Sequence, residues 1–156
     1  MNGMPQPTEQ HRQLQRLAGT WVGEEKMEPS PWGPGGRAIG RYDVRLDLGG
    51  FFLIQDYVQE KDDRITYRGH GIFGYDPRQE TFTWYWVDSM GEVPPSPSRG
   101  KWKGDTLVLE HDPQGDRRGR YTFRLDDERT LYFKLENSQD GGKSWQQFME
   151  GTYKKK

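Results

Sequence analysis

The sequence predicts an all-β protein: an antiparallel, up-and-down β-barrel of about ten strands behind a short N-terminal helix. Three observations predict it. Apolar and polar residues alternate with a period of two from Thr20 onward, and Gly, Pro and Asp clusters interrupt the chain at hairpin spacing. Only one segment carries helical spacing.

That segment starts at Thr8, a residue type suited to an N-cap, and runs to about Ala18, with Leu14, Leu17 and Ala18 on one face and Gly19 ending it. Ten extended runs follow. The first five are Thr20–Glu28, Arg37–Leu48, Phe51–Glu60, Arg64–Tyr75 and Thr81–Ser89. Next come the shorter Ser98–Lys103 and Thr106–His111, then Gly119–Leu125, Thr130–Asn137 and Trp145–Tyr153. Connections this short cannot carry the crossover helices that parallel strands need. A sandwich and a barrel both fit, and closure is favoured because it leaves no strand edge open.

A chain of 156 residues suits a single domain over 1–156, with 1–7 a flexible lead. Its mean hydropathy of -1.12 and 30% charged residues lean towards disorder. Aromatic residues at 13% reverse that, since each buries a large area and a few can carry a core. A formal net charge of -1 removes the electrostatic drive towards nucleic acid or an anionic membrane, so neither is an expected partner. The cluster Arg117, Arg118 and Arg120 reads as a solvated face rather than a phosphate contact. With no cysteine, thiolate catalysis and Cys-based metal sites are excluded. Met1 to Thr8 lacks an apolar core and no run approaches membrane-spanning length, so the expected compartment is the cytoplasm.

Alternation assigns inner faces. Phe82, Trp84, Trp86 and Asp88 turn inward in the fifth run, Leu107, Leu109 and His111 share a face in the seventh, and Tyr121, Phe123 and Leu125 face in along the eighth. In the third run Leu53, Gln55 and Tyr57 are set inside.

Several segments are also similar to a known family. Leu17-Ala18-Gly19-Thr20-Trp21-Val22-Gly23 resembles the helix-to-first-strand corner of calycins, the superfamily of lipocalins, fatty-acid-binding proteins and nitrobindins. The runs 48–57 (LGGFFLIQDY), 71–76 (GIFGYD) and 86–90 (WVDSM) resemble a calycin-like bacterial family, domain of unknown function 1579. The resemblance spans nearly the whole chain and implies a calycin barrel, with Trp21 plugging the end beneath the helix, and no established activity. Two ligand chemistries of the superfamily do not carry over. No His follows His111 to stand where nitrobindins hold haem, and the last strand, ending Gly151-Thr152-Tyr153-Lys154, lacks the Arg-x-Tyr clamp of fatty-acid-binding proteins. No cofactor is expected.

Other motifs read as structure. Gly69-His70-Gly71-Ile72-Phe73-Gly74 spells G-x-G-x-x-G inside a strand, where a dinucleotide fingerprint would have to open a helix. Its glycines relieve crowding. The stretch 138–145 (SQDGGKSW) has the spacing of an Asp-box turn. His11, His70 and His111 are too scattered for a zinc motif, so no metal site is expected. Pro94-Pro95-Ser96-Pro97 suits a loop over the barrel mouth, and Lys154-Lys155-Lys156 a solubilising tail.

Three functions remain open. The leading one is a binding module for a small apolar or aromatic molecule, contacted by Gln55, Tyr57, Tyr67, Trp84, Trp86, Asp88, His111, Gln147 and Met149. A second is an acid–base enzyme, an isomerase, cyclase or hydrolase, using Asp88 or His111. The third is a solid-core interaction domain that self-associates, a homodimer being the expected form, or binds a partner protein.

Overall fold

In the computed structural model, which describes residues 3–31 and 33–156, one helix precedes ten strands. Helix α1 spans Glu9–Gln15. The strands are β1 (Gly19–Met27), β2 (Gly36–Asp47), β3 (Phe52–Lys61), β4 (Arg64–Asp76) and β5 (Thr81–Asp88). They continue as β6 (Ser98–Lys103), β7 (Thr106–Glu110), β8 (Arg118–Asp127), β9 (Thr130–Ser138) and β10 (Gln146–Lys155). Each strand pairs antiparallel with the next, and β10 returns to pair with β1, closing an up-and-down barrel.

The connections explain why the chain turns where it does. Asp62 and Asp63 both hold positive φ, 53° and 61°, between Lys61 and Arg64. That is the two-residue loop whose twist matches an antiparallel pair, and Asp tolerates it better than most residues. The β1–β2 connection contains Trp32, which lies outside the described residues.

The helix is shorter than its spacing predicts. Regular bonding stops at Gln15, and Leu17 and Ala18 close a tighter turn by donating to the carbonyls of Leu14 and Gln15. This drops Leu17 onto Trp21, whose Nε1 donates to the Leu17 carbonyl at 2.9 Å. Trp21 is 0% exposed and plugs this end. At the N-terminus the Thr8 amide donates to Nδ1 of the buried His11 at 2.9 Å, so that histidine completes the helix start. Burial, then the nearby Arg12 charge, lowers its pKa and keeps it neutral.

The C-terminal end also departs from expectation. Lys154 and Lys155 belong to β10 rather than to a tail: Lys154 donates to Thr130 Oγ1 and the Lys155 ammonium lies 5.4 Å from the Trp21 ring centroid. Trp145 stands just outside β10, 4.0 Å beneath the Arg120 guanidinium. Arg120 also grips Glu136 through two hydrogen bonds, which is why part of the arginine cluster is structural. The 138–145 stretch folds as the turn its spacing predicts, with Asp140 accepting from Ser144 N–H and Ser138 and Ser144 hydroxyls.

The lumen divides into two halves. Near the helix it is apolar: Leu14, Leu17, Leu53, Phe73, Leu107 and Leu125 are all buried. The other half, towards the loops after β1, β3, β5, β7 and β9, is aromatic and polar.

Candidate functional site

The polar half centres on Glu25, a carboxylate 0% exposed. Its position follows from alternation along β1, which turns Trp21 and Glu25 inward together. Space for it comes from the facing strands: a Cβ at Gly40 would collide with the carboxylate, and one at Gly151 would stand 3.1 Å from Glu25 Cγ and 2.6 Å from the Tyr153 hydroxyl. Only glycine at these two places leaves room for so large a polar side chain.

Three donors converge on the carboxylate. Tyr57 Oη lies 2.6 Å from Oε1 and 2.9 Å from Oε2, Gln59 Nε2 donates to Oε1 at 2.9 Å, and the Tyr153 hydroxyl donates to Oε2. Tyr42 Oη stands 3.4 Å from Tyr153 Oη, and its ring stacks on Tyr57 with centroids 4.7 Å apart. Among the described residues no Lys, Arg or His forms an ion pair with Glu25. Desolvation therefore pushes its carboxyl above the usual range, and the bonds from Tyr153, Tyr57 and Gln59 pull part of the way back. The same burial raises the hydroxyls of Tyr42, Tyr57 and Tyr153, which remain donors at neutral pH.

An aromatic ladder leads from this cluster across the lumen. Tyr57 meets Trp86 and Tyr67, each with centroids 5.9 Å away; Trp86 meets Trp84 at 5.2 Å, and Trp84 meets Tyr121 at 4.9 Å. Gln55 sits in the wall and accepts from Trp84 Nε1 at 3.0 Å. A Cβ at Gly69 would collide with Trp86, and one at Gly71 with Gln55 and Trp84, so these glycines relieve crowding as expected.

The structure thus brings together Gln55, Tyr57, Tyr67, Trp84 and Trp86, with Met149 nearby. Met149 Sδ lies 4.0 Å from Gln59 Nε2, and Met27 Sδ 3.3 Å, so two thioethers and an amide cover Glu25 from the mouth side. Asp88 is half-buried at the end of β5. Its Oδ2 accepts from the Tyr67 hydroxyl and from Trp86 Nε1 at 2.8 Å, while Oδ1 accepts from the Met90 amide at 2.9 Å. It both caps the turn and ties off the ladder, and an open hollow of about 260 Å3 lies beside it on the outer surface, lined also by Arg68, His70, Val87 and Ser89. His111 falls just past β7 at the rim, its Nδ1 3.0 Å from its neighbour's carbonyl and its ring 6.3 Å from Tyr121.

Gln147 departs from the set. Alternation puts it on the face of Met149, but a bulge between them registers Gln147 opposite Glu136 and Met149 opposite Leu135. Glu136 belongs to the outer wall with Arg120 and Lys134, and directly opposed residues share a face. Phe148, the extra residue, packs against the core instead.

Glu25, Tyr42, Gln59 and Tyr153 were not among the expected site residues. The signal for Glu25 lies in the alternation from Trp21, yet a glutamate between Glu24 and Lys26 reads as solvated until its three partners, from strands distant in sequence, are in place.

Residues 6–155 match the profile of a family described as "Protein of unknown function (DUF1579)". Among solved structures, Rv2717c from M. tuberculosis superposes with a TM-score of 0.69 at 15% identity, over 96% of this chain and 98% of that one. The S-type phycobiliprotein lyase CPES from Guillardia theta does so with a TM-score of 0.63 at 10% identity, over 96% and 98%. At these identities the likeness is one of fold, a calycin-like barrel. No curated protein matches the sequence.

Proposed function

The chain belongs to the DUF1579 family of proteins of unknown function, and within its calycin-like barrel we propose that it binds a small, largely apolar or aromatic molecule in the half of the lumen remote from the helix. One observation carries this reading: a continuous run of inward-facing aromatic rings, buried at Tyr57 and Trp84 and half-exposed at Trp86, Tyr67 and Tyr121 towards the mouth. Rings that offer flat apolar faces with a polar tip suit a small-molecule site better than a plain hydrophobic core does. The ligand enters past Met27 and Met149, whose unbranched side chains re-pack at low cost. Gln55, Tyr57, Tyr67, Trp84, Trp86 and Met149 form the walls. Asp88 and His111 stand at the rim.

Intrinsic tryptophan fluorescence and thermal unfolding, measured against a panel of aromatic and lipid-like molecules, test this. A saturable change in both is expected with at least one compound, and a ligand at 100 times its Kd adds about 2.7 kcal/mol of stability. Trp86→Phe is expected to shrink the fluorescence change while the thermal shift persists. A flat response across the panel at millimolar concentration overturns the reading.

A further inference from the structure

We infer that the lumen ligand is a cation, an aromatic or alkyl amine whose positive charge pairs with Glu25 while its apolar part lies along the aromatic ladder. This rests on the lumen-binding reading above and names the class of molecule.

Three observations lead there. Glu25 is wholly buried, it accepts from three neutral donors, and no cationic side chain among the described residues reaches it. An ionised carboxylate withdrawn from water without a counter-charge is destabilised, and neutral hydrogen bonds recover only part of that loss. A leucine or methionine at this place in β1 would fill the core without that loss. The surrounding rings then point to what offsets it. Tyr42 and Tyr57 lie stacked at 4.7 Å, Tyr153 meets Tyr42 edge-on at 4.8 Å, and Trp86 stands 5.9 Å from Tyr57. Tyr57 and Tyr153 turn their hydroxyls to the carboxylate, and the half-buried Trp86 ring stands beside Tyr57, so a desolvated ammonium brought to Glu25 gains charge pairing there and cation–π attraction from Trp86. An anionic ligand meets the opposite: the carboxylate repels it, and among the described residues no cationic side chain pairs with Glu25 to compensate.

The cover over Glu25 fits the same occupant. Gln59 spans Glu25 Oε1 and the sulfurs of Met27 and Met149, so withdrawing one amide and two flexible thioethers opens a path from the mouth to the carboxylate. The amide oxygen of Gln59 and the Tyr57 hydroxyl oxygen can then accept from the remaining N–H groups of an ammonium.

The test uses a matched series on the full chain: phenethylamine, phenethyl alcohol and phenylacetate, equal in ring and chain and differing in charge. Binding is read by calorimetry and by tryptophan fluorescence. The amine is expected to bind at least tenfold more tightly than the alcohol, with phenylacetate weakest. Glu25→Gln is expected to cost the amine at least tenfold and leave the alcohol within about twofold. If the alcohol or phenylacetate binds as tightly as the amine, the charge inference is overturned and the lumen-binding reading stands. If none of the three binds and the wider panel is also silent, both fall. The comparison within the wild-type protein remains decisive if Glu25→Gln fails to fold.

Discussion

At the scale of single residues, Glu25 is the costly one. Its folded-state pKa is raised above 4.5, so folding is favoured while the carboxyl is protonated. That contribution is complete below pH 4.5 and is lost as pH rises through the raised value. Glu25→Gln removes the titration, and its amide introduces an offset that does not vary with pH. Denaturant midpoints from about pH 4 to about pH 8 should therefore show the variant gaining on the wild type as pH rises. A difference that stays flat would mean that Glu25 does not titrate in this window. Gly40 is coupled to it. Gly40→Ala drives a methyl group into the carboxylate and is expected to destabilise by about 1–3 kcal/mol, as overpacking does. In a double-mutant cycle with Glu25→Ala most of that loss should disappear.

At the scale of elements, the β9–β10 turn stands on its own chemistry. Bonds from the Ser144 hydroxyl and amide, and from the Ser138 hydroxyl, hold the Asp140 carboxyl down to about 2. A lowered carboxyl pKa contributes stability above the ordinary 3.8 that is lost as pH falls through about 2. Asp140→Ala should thus speed amide exchange at Gly142 and Ser144 at neutral pH, with the difference from wild type shrinking towards about pH 2. Turns and strands of this kind are local, and local chemistry is what the residue order displays. The doublet Asp62-Asp63, the Asp-box spacing and the alternation of Phe82, Trp84 and Trp86 place their elements to within a few residues. The misses are local patterns overruled by neighbours. The bulge that turns Gln147 away from Met149 answers to the register with β9, and Lys154 and Lys155 extend β10 because β1 and β9 are there to pair with them.

At the scale of the molecule, closure depends on the seam between β1 and β10, where Glu25 pairs with Gly151 and Gly23 with Tyr153. Removing residues 151–156 deletes Tyr153, most of that seam and the Lys155 cover of Trp21. Such a truncation should lose its cooperative thermal transition and near-ultraviolet circular dichroism, because an open ten-stranded sheet exposes two edges and the lumen aromatics together. Retention of a sharp transition would show that closure is not what holds the core.

The strands, their turns and most of the aromatic wall are legible in the residue order, because a period of two and the turn residues act between neighbours in the chain, whereas closure into a barrel and the end plugged by Trp21 follow from the family resemblance. Trp84, Trp86, Gln55 and Tyr57 could be set inside on that basis. The carboxylate at the centre could not. Glu25, Tyr42, Tyr57, Gln59 and Tyr153 come from β1, β2, β3 and β10, and their meeting is a matter of strand register and of the room left by Gly40 and Gly151. What makes Glu25 unusual is its removal from water, and only the closed barrel brings that about.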